Sequence, residues 1–365
     1  MLGSATVLPK WAGGLISIIS VISDIISISL VEFVEPAGKN QWMSGRRRLA
    51  NFLGRVSAQR TIVLGVVLVI AAAALLVPGH ASIDNIAQVL RQIAVPGIMA
   101  IGVTFVVIVG RLDLTVGALL SLCAVTMVDL HDIVGPGEAI AVTLAVGLLS
   151  GCVSGFLVAV LGVNSLIATL GMMSLLQGLT LVYTNGKNAQ IAHPEATWFG
   201  VLGRGYLFGV PVPVVILAVL AAVMAIVLNR TTFGRKAFAV GGNETASAYS
   251  SVNVKGTIFL TYVISAVMTA LAAIVYGSRV MAGQNDSGSG LELFVLSGVI
   301  LGGTSLLGGS GGIGRSTIGI VILGFVQNVL LLIGLPYFSQ WIVTWIVIIV
   351  AVWADMATKR ARVFA

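Results

Sequence analysis

The sequence predicts an all-α, polytopic membrane helix bundle of about ten spans, and three observations carry that reading. Apolar segments, each long enough to cross a bilayer, follow one another from Ile62 to Trp353 with short polar breaks. A span needs roughly 20 mostly apolar residues and reads shorter where it is tilted or glycine-rich. Composition agrees: 58% of the residues are hydrophobic and 9% charged, against roughly 25% charged in a soluble domain. Mean hydropathy is +1.07. The third observation is how unevenly lysine and arginine fall on the two sides of the bundle.

One side holds Lys10, Lys39, Arg46, Arg47, Arg48, Arg55, Arg60, Arg111, Arg230, Arg235, Lys236, Lys255, Arg315, Lys359, Arg360 and Arg362. The other holds only Arg91, Lys187, Arg204 and Arg279. Sixteen against four is a positive-inside distribution, so the rich side is cytoplasmic. An even number of spans then places both termini there. The net charge of +7 reports topology and implies no nucleic-acid partner.

Taken in order, residues 1–60 form an N-terminal extension, cytoplasmic or interfacial, that ends in a basic leader. Within it, Leu15–Val34 carries Ser17, Ser20, Asp24 and Ser27 as a narrow polar stripe. It lacks the basic start and cleavage site of a signal peptide. Three readings stay open: a helix lying on the membrane, an eleventh span, or non-native upstream sequence. Met43-Ser44-Gly45-Arg46-Arg47-Arg48 reads as a natural start. The transmembrane domain, 61–356, holds the spans Ile62–Pro78, Val95–Val109, Leu114–Leu130, Ala139–Leu161, Ser165–Tyr183, Val210–Leu228, Thr257–Tyr276, Phe294–Leu307, Thr317–Ile333 and Phe338–Val352. Residues 357–365 are a basic cytoplasmic tail.

Three connections are long: Thr184–Phe208 and Arg279–Leu293 outside, and Asn229–Gly256 inside. Cys123 and Cys152 fall within spans, where thiols behave as small hydrophobes. His80, His131 and His193 read as solvated residues of separate outer loops, with no metal site. Gly147, Gly151 and Gly155 make a small-residue ridge for helix contact, within the subunit or between subunits.

The run Gly302-Gly303-Thr304-Ser305-Leu306-Leu307-Gly308-Gly309-Ser310-Gly311-Gly312-Ile313-Gly314 is no phosphate loop, because no Gly-Lys-Ser/Thr follows it. A glycine break that lets backbones approach at the inner surface explains it better. Polar residues inside spans are costly and mark pathways or helix ties. Asn164, Thr169 and Gln177 lie on the fifth span, and Gln327 and Asn328 on the ninth. Amides and hydroxyls suit a neutral, hydroxyl-rich solute. Acids are scarce: Asp113 and Asp129 sit at span ends, so no proton relay is visible.

These segments carry a resemblance. Gly110-Arg111-Leu112-Asp113-Leu114-Thr115-Val116-Gly117 resembles the Gly-Gly-Ile-Asp-Leu-Ser-Val-Gly segment of ribose/xylose/autoinducer-type ABC importer permeases, with Arg111 where the family usually has Gly. Gly162-Val163-Asn164-Ser165-Leu166-Ile167-Ala168-Thr169-Leu170-Gly171-Met172, Gly178 and Tyr183-Thr184-Asn185-Gly186 are similar to its next segment. Thr232-Phe233-Gly234-Arg235-Lys236-Ala237-Phe238-Ala239-Val240-Gly241-Gly242-Asn243-Glu244-Thr245-Ala246 resembles its coupling segment, and Gly302 to Gly309 its late glycine motif. Together they cover roughly residues 45–356 in family order.

The resemblance implies a multi-pass permease of the bacterial inner membrane that imports a solute, most readily a monosaccharide, and is itself no enzyme. It implies three partners: an ABC ATP-binding subunit that binds the ATP, a periplasmic solute-binding protein, and a second permease copy or paralogue. It places coupling at Gly234, Arg235, Gly241, Gly242, Asn243 and Glu244, and a loop motif at Asp113 and Gly117. Local chemistry predicts how the coupling segment folds: Thr232 caps one short helix, Gly241-Gly242 ends it through positive φ, and Asn243-Glu244 starts a second. Arg111 is expected to set a cation beside Asp113. Glu195, Asp286 and Glu292 on the outer loops are expected to face the binding protein. A secondary carrier or exporter, and a membrane enzyme, are the other classes; the chain shows neither an acidic relay nor a converging catalytic group.

Overall fold

A computed structural model describes residues 82–332 and a few isolated positions beyond them. The N-terminal extension, the expected spans Ile62–Pro78 and Phe338–Val352, and the basic tail lie outside the described residues. The chain divides into a unit of residues 82–325 and a second of 1–81 with 326–365. The architecture below is that of the first unit.

Among the described residues up to 332, eleven helices follow one another: α1 Ile83–Ile108, α2 Val116–Val134, α3 Pro136–Gly155, α4 Ser165–Thr184, α5 Gly200–Arg204, α6 Val212–Arg230, α7 Thr232–Gly242, α8 Glu244–Tyr249, α9 Val254–Val280, α10 Leu291–Leu301 and α11 Ile313–Leu332, whose last residues lie past the first unit. A π-turn, Phe156–Val160, extends α3. Among the described residues, seven helices are long and apolar enough to cross a membrane: α1, α2, α3 with its π-turn, α4, α6, α9 and α11. Each overlaps an expected span, although α1 begins at Ile83, twelve residues before the expected Val95, and so takes in Arg91.

The expected span Phe294–Leu307 needs correcting. Its helix, α10, has 11 residues, about 16 Å at ~1.5 Å per residue, against a hydrocarbon core of about 30 Å. Gly303, at φ +98°, turns the chain out of helix, and the apolar Leu306-Leu307 beyond it belongs to the following turn. Hydropathy sums across that break and reads one span.

Two helices form the centre. From Ala94 to Val109, α1 is buried on every face, as befits a helix apolar all round. α9 packs against α1, α2 and α3, and glycines set those contacts. A Cβ on Gly102 of α1 would lie 2.7 Å from the Ser265 Cα of α9. One on Gly151 of α3 would meet Ala266 Cβ at 2.8 Å and Val263 Cα at 2.9 Å, while Gly147 faces Ala266 and Ala270 and Gly155 faces Phe259. The small-residue ridge is therefore a contact within the subunit. α3, α4 and α6 leave large apolar side chains such as Leu149, Ile167 and Ile226 exposed, the surface a bilayer covers.

Among the described residues, strands are confined to two short antiparallel ladders, β1 Ala189–Gln190 with β4 Ala282–Gly283, and β2 Tyr206–Leu207 with β3 Val210–Pro211. The first ties the two expected outer loops together. Nearby, His131 is not a solvated loop residue. It lies in the last turn of α2, buried, with Nδ1 2.7 Å from Asp132 Oδ1 and Nε2 2.8 Å from Thr197 Oγ1. Arg204 of α5 donates from Nε to the Arg279 carbonyl at 2.8 Å, satisfying an end of α9 that would otherwise lack a partner.

Candidate functional site

Three segments far apart in sequence meet at one end of the bundle: the loop 109–115 between α1 and α2, the α7–α8 pair, and the glycine turn 302–312. Their contacts are largely backbone on backbone. The Gly309 amide donates to the Ile108 carbonyl at 2.9 Å. A Cβ on Gly241 would strike that same carbonyl and the Gly309 amide. Gly308, at φ +83°, has the Gly241 carbonyl and Gly110 amide where its Cβ would stand. The glycine turn thus does bring backbones together, as its composition implies.

The α7–α8 pair folds as two short helices, with two corrections. Thr231, not Thr232, is the first cap: its Oγ1 accepts from the Gly234 amide. Gly241 and Gly242 do not end α7 through positive φ, for both are helical and the chain leaves helix at Asn243, φ −161°. Gly241 is small because of what it touches, not how it bends. Gly234 is small for the same reason, since a Cβ there would run into the Leu228 backbone at the end of α6. Asn243 starts α8, its Oδ1 accepting from the Ala246 amide at 2.9 Å.

α7 is amphipathic. Gly234, Ala237 and Val240 are buried, and Phe233 stacks on Phe105 of α1 with ring centroids 5.9 Å apart. Arg235, Lys236, Gly242, Asn243, Glu244 and Tyr249 are exposed. The pair is fixed on one side to the spans and presents a polar face on the other.

The loop 109–115 runs from this junction into the bundle. Tyr262 of α9 donates its hydroxyl to the Leu112 carbonyl at 2.8 Å. Asp113 is 2% exposed, and a carboxylate so buried must be met by donors. Three meet it: the Thr115 amide at 3.0 Å, Thr115 Oγ1 at 2.5 Å and Ser265 Oγ at 2.7 Å. Arg111 does not sit against Asp113 as expected. Its guanidinium pairs with Glu244 of α8 at 2.7 Å.

Gly117 and the segment 284–290 form a second junction. The expected outer loop Arg279–Leu293 is not free: Gly283 lies on the Val125 backbone of α2 and Gly288 on that of Gly117. Eight residues of α2 separate those points, about 12 Å along the helix. The Gly288 amide donates to Ser121 Oγ at 2.9 Å. On the other side, Gln177 of α4 donates to the Asn285 carbonyl at 2.8 Å, and Thr184 to Asn285 Oδ1 at 2.9 Å. Irregular backbone beside spans is tolerated only where it is buried in protein or lines a cavity. Here Gly283, Asn285 and Gly288 turn inward while Gln284, Asp286 and Ser289 stay exposed.

The remaining residues singled out from sequence are dispersed. Asn164 caps α4, accepting from the Leu166 amide at 3.0 Å. Thr169, fully buried, donates to the Ser165 carbonyl of its own helix at 2.8 Å. Gln327 and Asn328 are half-buried on α11, beyond Phe325 and so in the second unit. Sequence reasoning missed Ser265, Tyr262 and Asn285. A signal existed for the first: Thr261, Ser265 and Thr269 recur every four residues, a hydroxyl stripe inside a span.

A family model described as "Branched-chain amino acid transport system / permease component" matches residues 85–352, and the chain belongs to that family. The ribose import permease protein RbsC of Haemophilus influenzae is 36% identical over 320 residues, covering 86% of this chain and 99% of that one. RbsC of Escherichia coli K12 is 38% identical over 317 residues, 86% and 98% of the two chains. The L-arabinose transport system permease protein AraH of the same strain is 33% identical over 323 residues, 87% and 97%. No solved structure matches. The resemblance read from the motifs holds at the level of the family: the chain is a permease component of a transport system, with several helices able to cross a membrane.

Proposed function

We propose that the chain is the transmembrane permease subunit of an ATP-driven importer of a monosaccharide or related carbohydrate. The observation that carries this is the α7–α8 pair, whose buried face is fitted by glycine contacts to the ends of α1 and the 302–312 turn while its polar face stays open. Such an element is a rigid handle. A separate ATP-binding subunit holds and hydrolyses the ATP and docks on Arg235, Gly242, Asn243 and Glu244; its closure moves the handle and, through it, the spans.

The α7–α8 end is cytoplasmic, as the six described cations Arg111, Arg230, Arg235, Lys236, Lys255 and Arg315 on that side support. Although α10 alone is too short to span, the chain still passes from the Arg279 end of α9 to the Arg315 end of α11, so the crossings stay even and both termini share this side. A periplasmic binding protein delivers solute to the opposite face, and a second permease copy or paralogue completes the path. Gln177 and the exposed edge Gln284, Asp286 and Ser289 supply amide, carboxylate and hydroxyl groups for a hydroxyl-rich solute. The subunit performs no bond chemistry of its own. The names of the ribose and arabinose relatives favour a sugar over the amino acid in the family description.

Reconstitution with the ATP-binding subunit and binding protein tests the reading. ATP-dependent uptake of radiolabelled ribose or arabinose, and none of leucine, is expected. Accumulation of solute by the chain alone in energised vesicles would instead mark a secondary carrier.

A further inference from the structure

We propose that Arg111 and Glu244 form a positioning pair that makes α8 and the 109–115 loop move as one body during transport. The proposal rests on the reading of α7–α8 as the ATPase-docking handle. The two residues are 133 positions apart in sequence, yet Arg111 Nη2 donates to Glu244 Oε2 at 2.7 Å. Arg111 stands where the resembled segment usually has Gly.

Each partner lies at a point where force changes hands. Glu244 is the first residue of α8 and follows Asn243, the cap that begins it. Arg111 directly precedes Leu112 and Asp113, which Tyr262 and Ser265 hold against the middle of α9. The α7 helix has its own grip on the end of α1 through Phe233 on Phe105 and Gly241 on Ile108. Those contacts reach α1 directly and the loop only through the glycine turn, where Gly308 lies between Gly241 and Gly110. The Arg111–Glu244 pair adds a direct side-chain bond from α8 to the loop, and the loop is bonded in turn to α9. Asp113 has its own donors, Thr115 on Oδ1 and Ser265 on Oδ2, while Arg111 is paired with Glu244.

An isolated, partly exposed ion pair stabilises little, so its role is geometric and is read from coupling. In proteoliposomes holding the full complex, solute uptake per ATP hydrolysed is measured for the wild type, Arg111→Gly, Glu244→Arg and the reversed pair R111E/E244R. Each single variant is expected to lower that ratio by roughly three- to tenfold, and the reversed pair to return it to within about twofold of wild type, amounts of assembled complex being equal. As a second readout, R111C/E244C in a chain lacking Cys123 and Cys152 is bridged by a short bis-maleimide. The bridged complex is expected to transport. Wild-type ratios in both single variants, a reversed pair no better than they are, or arrest by the bridge would each overturn the pair. A wild-type complex with no ATP-driven uptake would overturn the functional reading and the pair's role with it.

Discussion

Ser265, halfway along α9, donates its hydroxyl to Asp113 Oδ2 at 2.7 Å and so fastens the loop between α1 and α2 to the centre of the bundle. Both groups are buried, Ser265 completely. Hydrogen bonds to a charged group contribute about 1.5–3 kcal/mol. Ser265→Ala is expected to destabilise the purified protein by that amount, seen as a lowered Tm in detergent. Asp113→Asn, which keeps an acceptor for Thr115 and can still bond Ser265, is expected to cost less than Asp113→Ala. An unchanged Tm for Ser265→Ala would remove this bond from the account.

Neighbouring glycines of α7 predict opposite outcomes. A Cβ on Gly241 collides with the Ile108 carbonyl, whereas one on Gly242 meets nothing within 4 Å. Gly241→Ala is expected to lower stability by about 1–3 kcal/mol, as overpacking does, and to abolish ATP-driven uptake. Gly242→Ala fills a helical position and is expected to be neutral or to stabilise by up to ~1 kcal/mol. Equal behaviour of the two variants in melting and uptake would contradict the packing.

Gln177 and Thr184 hold one residue, Asn285, from the same helix. Gln177→Leu and Thr184→Val are each expected to cost about 0.5–1.5 kcal/mol. Because they share a partner, the double variant should depart from the sum of the singles. Strict additivity in a thermal-melt cycle would mean that the 284–290 segment is not clamped by α4.

Asp286 is exposed beside that clamp. Asp286→Ala is expected to leave folding within about 0.5 kcal/mol, as for a surface position, and to reduce sugar uptake at least several-fold. Uptake at the wild-type rate would take Asp286 out of the pathway.

The Gly147–Gly151–Gly155 ridge faces α9 of its own subunit. Gly151→Leu is therefore expected to destabilise the monomeric chain by overpacking, by about 1–3 kcal/mol or more, seen as a lowered Tm. A variant that melts normally but fails to dimerise would instead place the ridge between subunits.

What the sequence determined by itself was everything a single segment can express. Each of the seven span-length helices is a run of apolar residues whose own backbone hydrogen bonds are made within it, so hydropathy along the chain locates it. Asn243 as the start of α8 was legible for the same reason, because capping is a bond between residues three apart. The tertiary structure decided which segments meet. Nearness in sequence points Arg111 at Asp113, two residues away, whereas its partner is Glu244. Arg279–Leu293 reads as an outer loop by polarity, yet Gly283 and Gly288 let it lie against the α2 backbone, where Asn285 is clamped. Gly241 looks like a helix terminator and is a contact point instead. Backbone approach at glycine and pairing across more than a hundred residues leave no periodic trace in a one-dimensional pattern, because the partner that gives them meaning lies on another helix.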